Sequence, residues 1–113
     1  MNTRLEKIKA AGCDVDSALE RFVGDSDLYL DCFDKLLADN DLEKLCQAVE
    51  SGDPDETFHL SHKLKSVYAN MGLTAMYEAC VPIVETAGAG SCPKELREHC
   101  AVLIQQIAKL KEL

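Results

Sequence analysis

The chain has 113 residues, a length that favours one domain with one continuous hydrophobic core. Hydrophobic residues make up 47% of the chain and charged residues 28%, as in an ordinary folded globule, while an aromatic content of 5% without Trp disfavours a base-stacking surface. The formal net charge of −8 repels phosphate backbones and anionic lipids, so we expect protein partners and neither nucleic acid nor membrane.

The first third of the sequence predicts short helices. Helix start and stop signals alternate at short intervals without strand-like alternation, which indicates an all-α fold. One short helix ends at Gly12, and a second begins at an N-cap at Asp14. In the third, the apolar stripe changes side near residues 39–41. This favours a break with a new cap at Asn40, although a continuous helix facing different neighbours remains open.

The clearest helix start lies at residues 53–56, where an Asp cap precedes a proline at the first helical position and two acids. The helix is expected over about 54–71, and Gly72 suits the left-handed position that turns the chain back. A partner helix is expected over roughly 74–87, and a last helix from Cys92 onward.

These elements predict one domain over residues 1–113. Residues 1–38 are expected to form short N-terminal capping helices, and residues 40–112 an antiparallel up-down four-helix bundle. The six cysteines contain no CxxC pair, so we expect small buried hydrophobic residues rather than disulfides or metal ligands. No stretch reaches the roughly 20 apolar residues of a membrane span, and residues 1–9 lack the apolar core of a signal peptide. A cytoplasmic location is therefore expected.

One histidine is placed on the outer face of the helix over 54–71. The inner face carries Leu60, Ser61, Leu64, Val67, Tyr68 and Met71. At about 100° per residue, His62 lies roughly 160° from Leu64 and projects into water. A single surface histidine is usually only a solvated side chain. However, Lys65 is a neighbour one turn on, and neutral imidazole is a good phosphorus nucleophile near neutral pH.

The segment from His62 to Gly72, HKLKSVYANMG, resembles the signature of histidine-containing phosphotransfer (HPt) domains: His, any residue, Leu-Lys-Gly, then a Gly that ends the helix. Most of residues 14–110 shares the similarity. The resemblance implies that His62 is phosphorylated, that Lys65 stabilises the phosphoryl group and that Gly72 makes the hairpin turn. Ser66 departs from the pattern, which has glycine there, but serine is small enough for access to the histidine to survive.

The resemblance also implies a phosphocarrier without kinase activity of its own, which exchanges phosphate with the aspartates of receiver domains. A sensor or hybrid histidine kinase is the expected upstream partner. Mg²⁺ is expected in the receiver, with no cofactor or metal in this chain. The chain is expected to act as a monomer. Whether it stands alone or belongs to a larger hybrid kinase stays open.

The expected docking face for the receiver surrounds His62 and consists of Phe58, His59, Ser66 and Ala69. Phe58 is expected to be exposed there. His59 is a second candidate acceptor, but the position three residues after it is His62 and not a lysine.

Two other readings of the sequence remain. In the first, a metal-binding bundle joins His59 and His62 to His99 or Cys100 of the last helix. The helical wheel disfavours this site because the first two point outward and Cys100 inward. The second reading is an interaction module whose histidine is never phosphorylated.

Overall fold

A computed structural model describes residues 3–113, which contain seven helices and no strand. The helices are α1 (Thr3–Ala10), α2 (Val15–Arg21), α3 (Ser26–Ala38), α4 (Asp41–Ser51), α5 (Pro54–Asn70), α6 (Thr74–Gly88) and α7 (Leu96–Lys111). The all-α prediction is confirmed. None of the helices in this part of the chain combines the length and apolar character that a membrane span needs.

Four of these helices pack in a closed ring. Helix α5 lies between α4 and α6, and α7 completes the ring by packing against the same two helices. The three N-terminal helices form a chain of contacts in which α1 meets α2, α2 meets α3, and α3 meets α7. The antiparallel up-down order of the four remains a prediction, based on the short connections between them.

The core is shared by the ring and the N-terminal helices. Its largest fully buried side chains include Tyr29 and Phe33 from α3 and Leu45, Tyr68, Ile83 and Leu103 from the ring. Full burial of such a side chain stabilises the fold by about 1.5–3 kcal/mol. Helix α5 contributes its inner face, where Thr57, Ser61, Leu64 and Tyr68 are buried. Its opposite face is thereby left for solvent or a partner.

The predicted break after α3 is confirmed, and the continuous helix is excluded. Asp39 is extended between the two helices, and its Oδ1 accepts a hydrogen bond from the Asp41 N–H at 2.9 Å. Asn40 is the N-cap residue of α4, as predicted, but its side chain makes no capping hydrogen bond. The Asp41 carboxylate is buried and lies 2.6 Å from Lys63 Nζ. Because an unpaired buried charge is costly, this ion pair ties α4 to α5.

The boundaries of the last two helices differ from the prediction. Helix α6 includes Gly88, and α7 begins at Leu96 rather than at Cys92. The N–H groups of Leu96 and Arg97 bond to carbonyls three residues back, so a tight turn precedes α7. Cys92 precedes this turn, and its Sγ lies 3.4 Å from Thr57 Oγ1 on α5.

The cysteines match the prediction only in part. All six lie in the described residues and are free thiols. Cys80 and Cys100 are buried, but the other four are only half-buried, so they are not core residues as expected. Cys13 and Cys92 lie between helices, whereas Cys32 and Cys46 lie within α3 and α4, and all four pack against the edge of the core.

The N-terminal helices bind the C-terminal end of α5. The last carbonyls of a helix have no partner within it. Here the Asn70 carbonyl accepts from Arg21 Nη1 at 3.2 Å, and the next carbonyl accepts from the Tyr29 hydroxyl at 2.8 Å. The third accepts from the Asp14 N–H at 2.7 Å. The turn that follows the helix of His62 is therefore held by three hydrogen bonds from outside the ring.

Gly72 is required at this turn for two reasons. Its φ is +74°, which L side chains rarely adopt. A Cβ at this position would also lie 2.8 Å from the carbonyl carbon of Asp14 and nearer still to its oxygen. That carbon belongs to backbone, which cannot rotate away as a side chain can.

Substitution of Gly72 separates these two effects. We expect Gly72→Ala to lower the free energy of unfolding by about 3 kcal/mol or more, because backbone overlap adds to the strained φ. The matched control is Gly52→Ala, where φ is +70° but nothing lies within 4 Å. It should lose only about 1 kcal/mol. Urea denaturation measures both, and equal losses would show that the contact with Asp14 is unimportant.

Candidate functional site

His62 lies in the middle of α5 and is exposed. The ring of Phe58, one turn earlier, stacks on the imidazole with centroids 5.5 Å apart and an angle of 28° between the planes. Phe58 is half-buried, which corrects the expectation of an exposed side chain. Its other contact is with α6, where a Cβ on Gly88 would come within 3.2 Å of Phe58 Cε1. Phe58 therefore lies between the imidazole and the end of α6.

The second histidine has a different environment. His59 is exposed and meets Phe58 edge-on, with centroids 5.8 Å apart and an angle of 66°. It precedes His62 on the helix and does not share its parallel stack. The two histidines are thus distinguished by geometry as well as by distance along the chain from Lys65.

The two lysines after His62 differ in their partners. Lys63 is paired with Asp41, and this hydrogen bond raises the pKa of the Lys63 ammonium. Lys65 is half-buried and has no ion-pair partner within residues 3–113. Burial raises the pKa of the Cys80 thiol on α6 to about 12, and the charge of Lys65 opposes the rise. Lys65 therefore lies towards α6 with an uncompensated charge.

Ser66 is exposed, and its hydroxyl donates to the backbone carbonyl of His62 at 3.3 Å. This bond to the preceding turn is common for serine within a helix. It leaves a small side chain beside His62 and keeps the hydroxyl against the helix. Ala69 is half-buried and lines a surface hollow together with Arg21 of α2. Gly72 lies in the turn after α5, as predicted.

The residues of the metal-binding alternative are not brought together. Across residues 3–113 no three His, Cys, Asp or Glu side chains form a group that could hold a metal ion. His99 is half-buried and Cys100 buried on α7, whereas His59 and His62 are exposed on α5. The structure therefore gives this alternative no support.

A cavity of about 420 Å³ lies beside α5, and His62 does not line it. Its walls include Leu36, Leu42, Tyr68 and Ile107. Burial raises the pKa of the Tyr68 hydroxyl above its usual range. Because His62 lies on an open helix face, its surroundings suit a protein surface better than an enclosed small molecule.

Comparison with protein families decides the class of the molecule. The model of the Hpt domain matches residues 19–112. The chain belongs to the Hpt domain family. Hpt domains are phosphocarrier modules of two-component phosphorelays and not autonomous enzymes. The resemblance of the segment from His62 to Gly72 is thus confirmed at the level of the family. No curated protein and no solved structure matches the chain.

Two features around the histidine of this Hpt domain were not predicted. The first is the contact between Gly88 and Phe58, because the sequence places Gly88 in a loop. Gly88 immediately follows a helical pattern, so the sequence allows it to belong to the helix. The sequence does not show which ring it approaches. The second is the ion pair of Lys63 with Asp41, which joins α5 to α4 through residues 22 positions apart along the chain. Helical spacing alone shows only contacts within one helix.

Proposed function

We propose that this Hpt domain carries a phosphoryl group on His62 between the aspartates of receiver domains. The observation that supports it is the exposed imidazole of His62 with Lys65 one turn further along α5, a cation that pairs with no acid among the described residues. The first phosphoryl donor would be a receiver domain or a sensor or hybrid histidine kinase. Each copy carries both residues, so the transfer needs no second copy of the chain.

The reaction follows from the chemistry of imidazole. The lone pair of one ring nitrogen attacks the phosphorus of the receiver's acyl phosphate and forms an N–P bond. The O–P bond breaks, and its electron pair returns to the aspartate as a carboxylate. The proton on the other ring nitrogen takes no part in this exchange. Transfer to a second receiver reverses the same steps, so neither ATP nor a general base is needed.

The charges of the transferred group would be neutralised from two sides. The receiver would supply Mg²⁺ and most of the electrostatic stabilisation, as in other phosphoryl transfers. This chain would supply the Lys65 ammonium as a point charge. The net charge of −8 makes a local cation necessary, because the overall field of the domain repels a phosphoryl group.

The receiver would dock on the face of α5 around the histidine. His59, His62 and Ser66 are exposed there, while Phe58 and Ala69 are half-buried at its edges. A small residue beside the acceptor is needed because the receiver's aspartate must come in line with the imidazole. Serine at position 66 meets this need, since its hydroxyl folds back on the helix.

The acceptor is tested by substitution of both exposed histidines. We expect His62→Gln to abolish transfer from a phosphorylated receiver, and His59→Gln to retain it. Both variants should stay folded and lose at most about 1.5 kcal/mol of stability, because the side chains are on the surface and only the ring contacts with Phe58 are lost. Radiolabelled transfer and thermal melting measure these effects.

The chemistry of the label gives an independent check of the same proposal. A phosphoramidate on histidine is labile in acid and stable in base, whereas an acyl phosphate is not stable in base. Label that persists in His62→Gln and disappears in His59→Gln would overturn the assignment. Absence of label from the wild type with several receivers would instead favour an interaction module that is not phosphorylated.

Lys65 is tested against its neighbour Lys63. We expect Lys65→Ala to slow transfer about tenfold or more, since a hydrogen bond to a charged group contributes about 1.5–3 kcal/mol. Lys65→Arg should rescue the rate only in part, because the planar guanidinium has a different geometry. Rapid-quench kinetics give the rates.

The matched control is Lys63→Ala. It leaves Asp41 buried without its partner, so it should lower stability but leave the rate of the folded domain near that of the wild type. Equal slowing by both substitutions would indicate a general charge effect. An unaltered rate in Lys65→Ala would show that the receiver supplies all of the charge stabilisation.

The docking face is tested by its steric limit at position 66. Ser66→Trp should block transfer, while Ser66→Gly should keep or increase it, because only the indole excludes a partner from His62. The control is Gln105→Trp on the exposed side of α7, which should transfer normally. NMR titration with an unphosphorylated receiver should shift resonances around residues 58–70. Shifts confined to α7 would contradict this docking surface.

A further inference from the structure

The imidazole of His62 is held by an aromatic stack, although it is exposed. The planes of His62 and Phe58 are 28° apart, and their centroids are separated by 5.5 Å, within the range of favourable offset stacking. Such a pair is stabilising beyond the burial of its area. Without it, an exposed histidine on a helix would divide its time among about four rotamers, two for each torsion. The stack therefore favours a subset of ring orientations.

The Phe58 ring that stacks on the imidazole is itself packed against α6. This contact supports the ring in its position. A Cβ on Gly88 would lie 3.2 Å from Phe58 Cε1 and 3.3 Å from Cδ1, so the ring rests against the backbone at the end of α6. A Cβ at these distances would be closer to the ring than an ordinary van der Waals contact allows. An alanine there would press on the ring and displace it by a few tenths of an ångström.

The backbone of Gly88 does not itself require glycine. The chain has six glycines, and five of them have a positive φ that other residues rarely adopt. Gly88 is the exception, since it is helical with an ordinary φ. As the last residue of α6, it has a backbone conformation that other residues also adopt. Space for the Phe58 ring is the feature of the structure that accounts for it.

We propose that Phe58 and Gly88 are positioning residues, which orient the His62 imidazole for in-line attack on phosphorus. This inference rests on the proposed function of His62. The lone pair that forms the N–P bond lies in the plane of the imidazole, so rotation of the ring turns it away from the line of the breaking O–P bond. Gly88 fixes Phe58, and Phe58 fixes the plane of the ring.

The proposal assigns to Phe58 a role different from docking, and kinetics can separate the two. Single-turnover transfer is measured from a phosphorylated receiver over a range of concentrations of the full chain. This gives a maximal rate constant and a half-saturating concentration. Loss of orientation lowers the maximal rate constant, whereas loss of docking raises the half-saturating concentration.

Phe58→Leu and Gly88→Ala are the two test variants. We expect each to lower the maximal rate constant about two- to fourfold, the limit set by about four rotamers. Gly88→Ala, which keeps the Phe58 ring on the docking face, should leave the half-saturating concentration unchanged. Phe58→Tyr should restore the rate because it keeps the ring. In the double variant Phe58→Leu/Gly88→Ala, the second substitution should cause no further slowing. Both substitutions act through the Phe58 ring, and leucine at position 58 leaves no ring to displace.

The orientation of the imidazole is measured directly by NMR on the unphosphorylated protein. The ring protons of His62 lie against the face of Phe58, so Phe58→Leu and Gly88→Ala should both move their resonances by loss or change of the ring current. Those of His99 on α7 should stay in place. Backbone spectra identify any variant that fails to fold. In that case, the His62 resonances of Phe58→Tyr are compared with those of the wild type.

The outcomes distinguish this inference from the proposed function. If the wild type is not labelled on His62, the proposed function fails. If His62 is labelled but the variants change only the half-saturating concentration, Phe58 is a docking residue and the positioning role is wrong. Independent, multiplicative slowing in the double variant, or unmoved His62 resonances in Gly88→Ala, would also overturn it.

Discussion

Burial of one face of α5 is the constraint on which the other features of the molecule depend. Thr57, Ser61, Leu64 and Tyr68 are buried against the neighbouring helices. Because a helix cannot turn two faces inward here, the residues on the opposite face point outward, and the exposed His62 is one of them. The exposure of His62 is therefore a geometric consequence of the hydrophobic core, and it needs no loop or cleft.

The N-terminal helices stabilise the C-terminal end of α5. Carbonyls that terminate α5 would otherwise lack partners, and Arg21, Tyr29 and the backbone of Asp14 provide them. Since Gly72 brings the turn into direct contact with Asp14, the end of α5 and the start of α2 are packed as one unit. The family match begins within α2, so α1 lies outside it.

Electrostatics and packing divide the neighbours of His62 into two groups. Lys63 is occupied by the buried Asp41 and so contributes to stability, whereas Lys65 retains a charge for which no described residue is the partner. Phe58 and Gly88 act through shape, because the close approach of α5 and α6 leaves just enough room for one ring. In the proposed site, His62 is the nucleophile, Lys65 the cation and Phe58 the support, and Phe58 is the one that packs against α6.

The sequence by itself determined the helices, the outward direction of His62 and the identity of Lys65 as its neighbour, because these follow from spacing and capping within a single segment. It also indicated the family through the residues from His62 to Gly72. The tertiary structure decided the half-buried position of Phe58, the contact with Gly88 and the pairing of Lys63 with Asp41. Each of these joins residues of different helices, and their distance depends on how helices pack. Helical periodicity gives the face on which a residue lies, but not the residue of another helix that meets it.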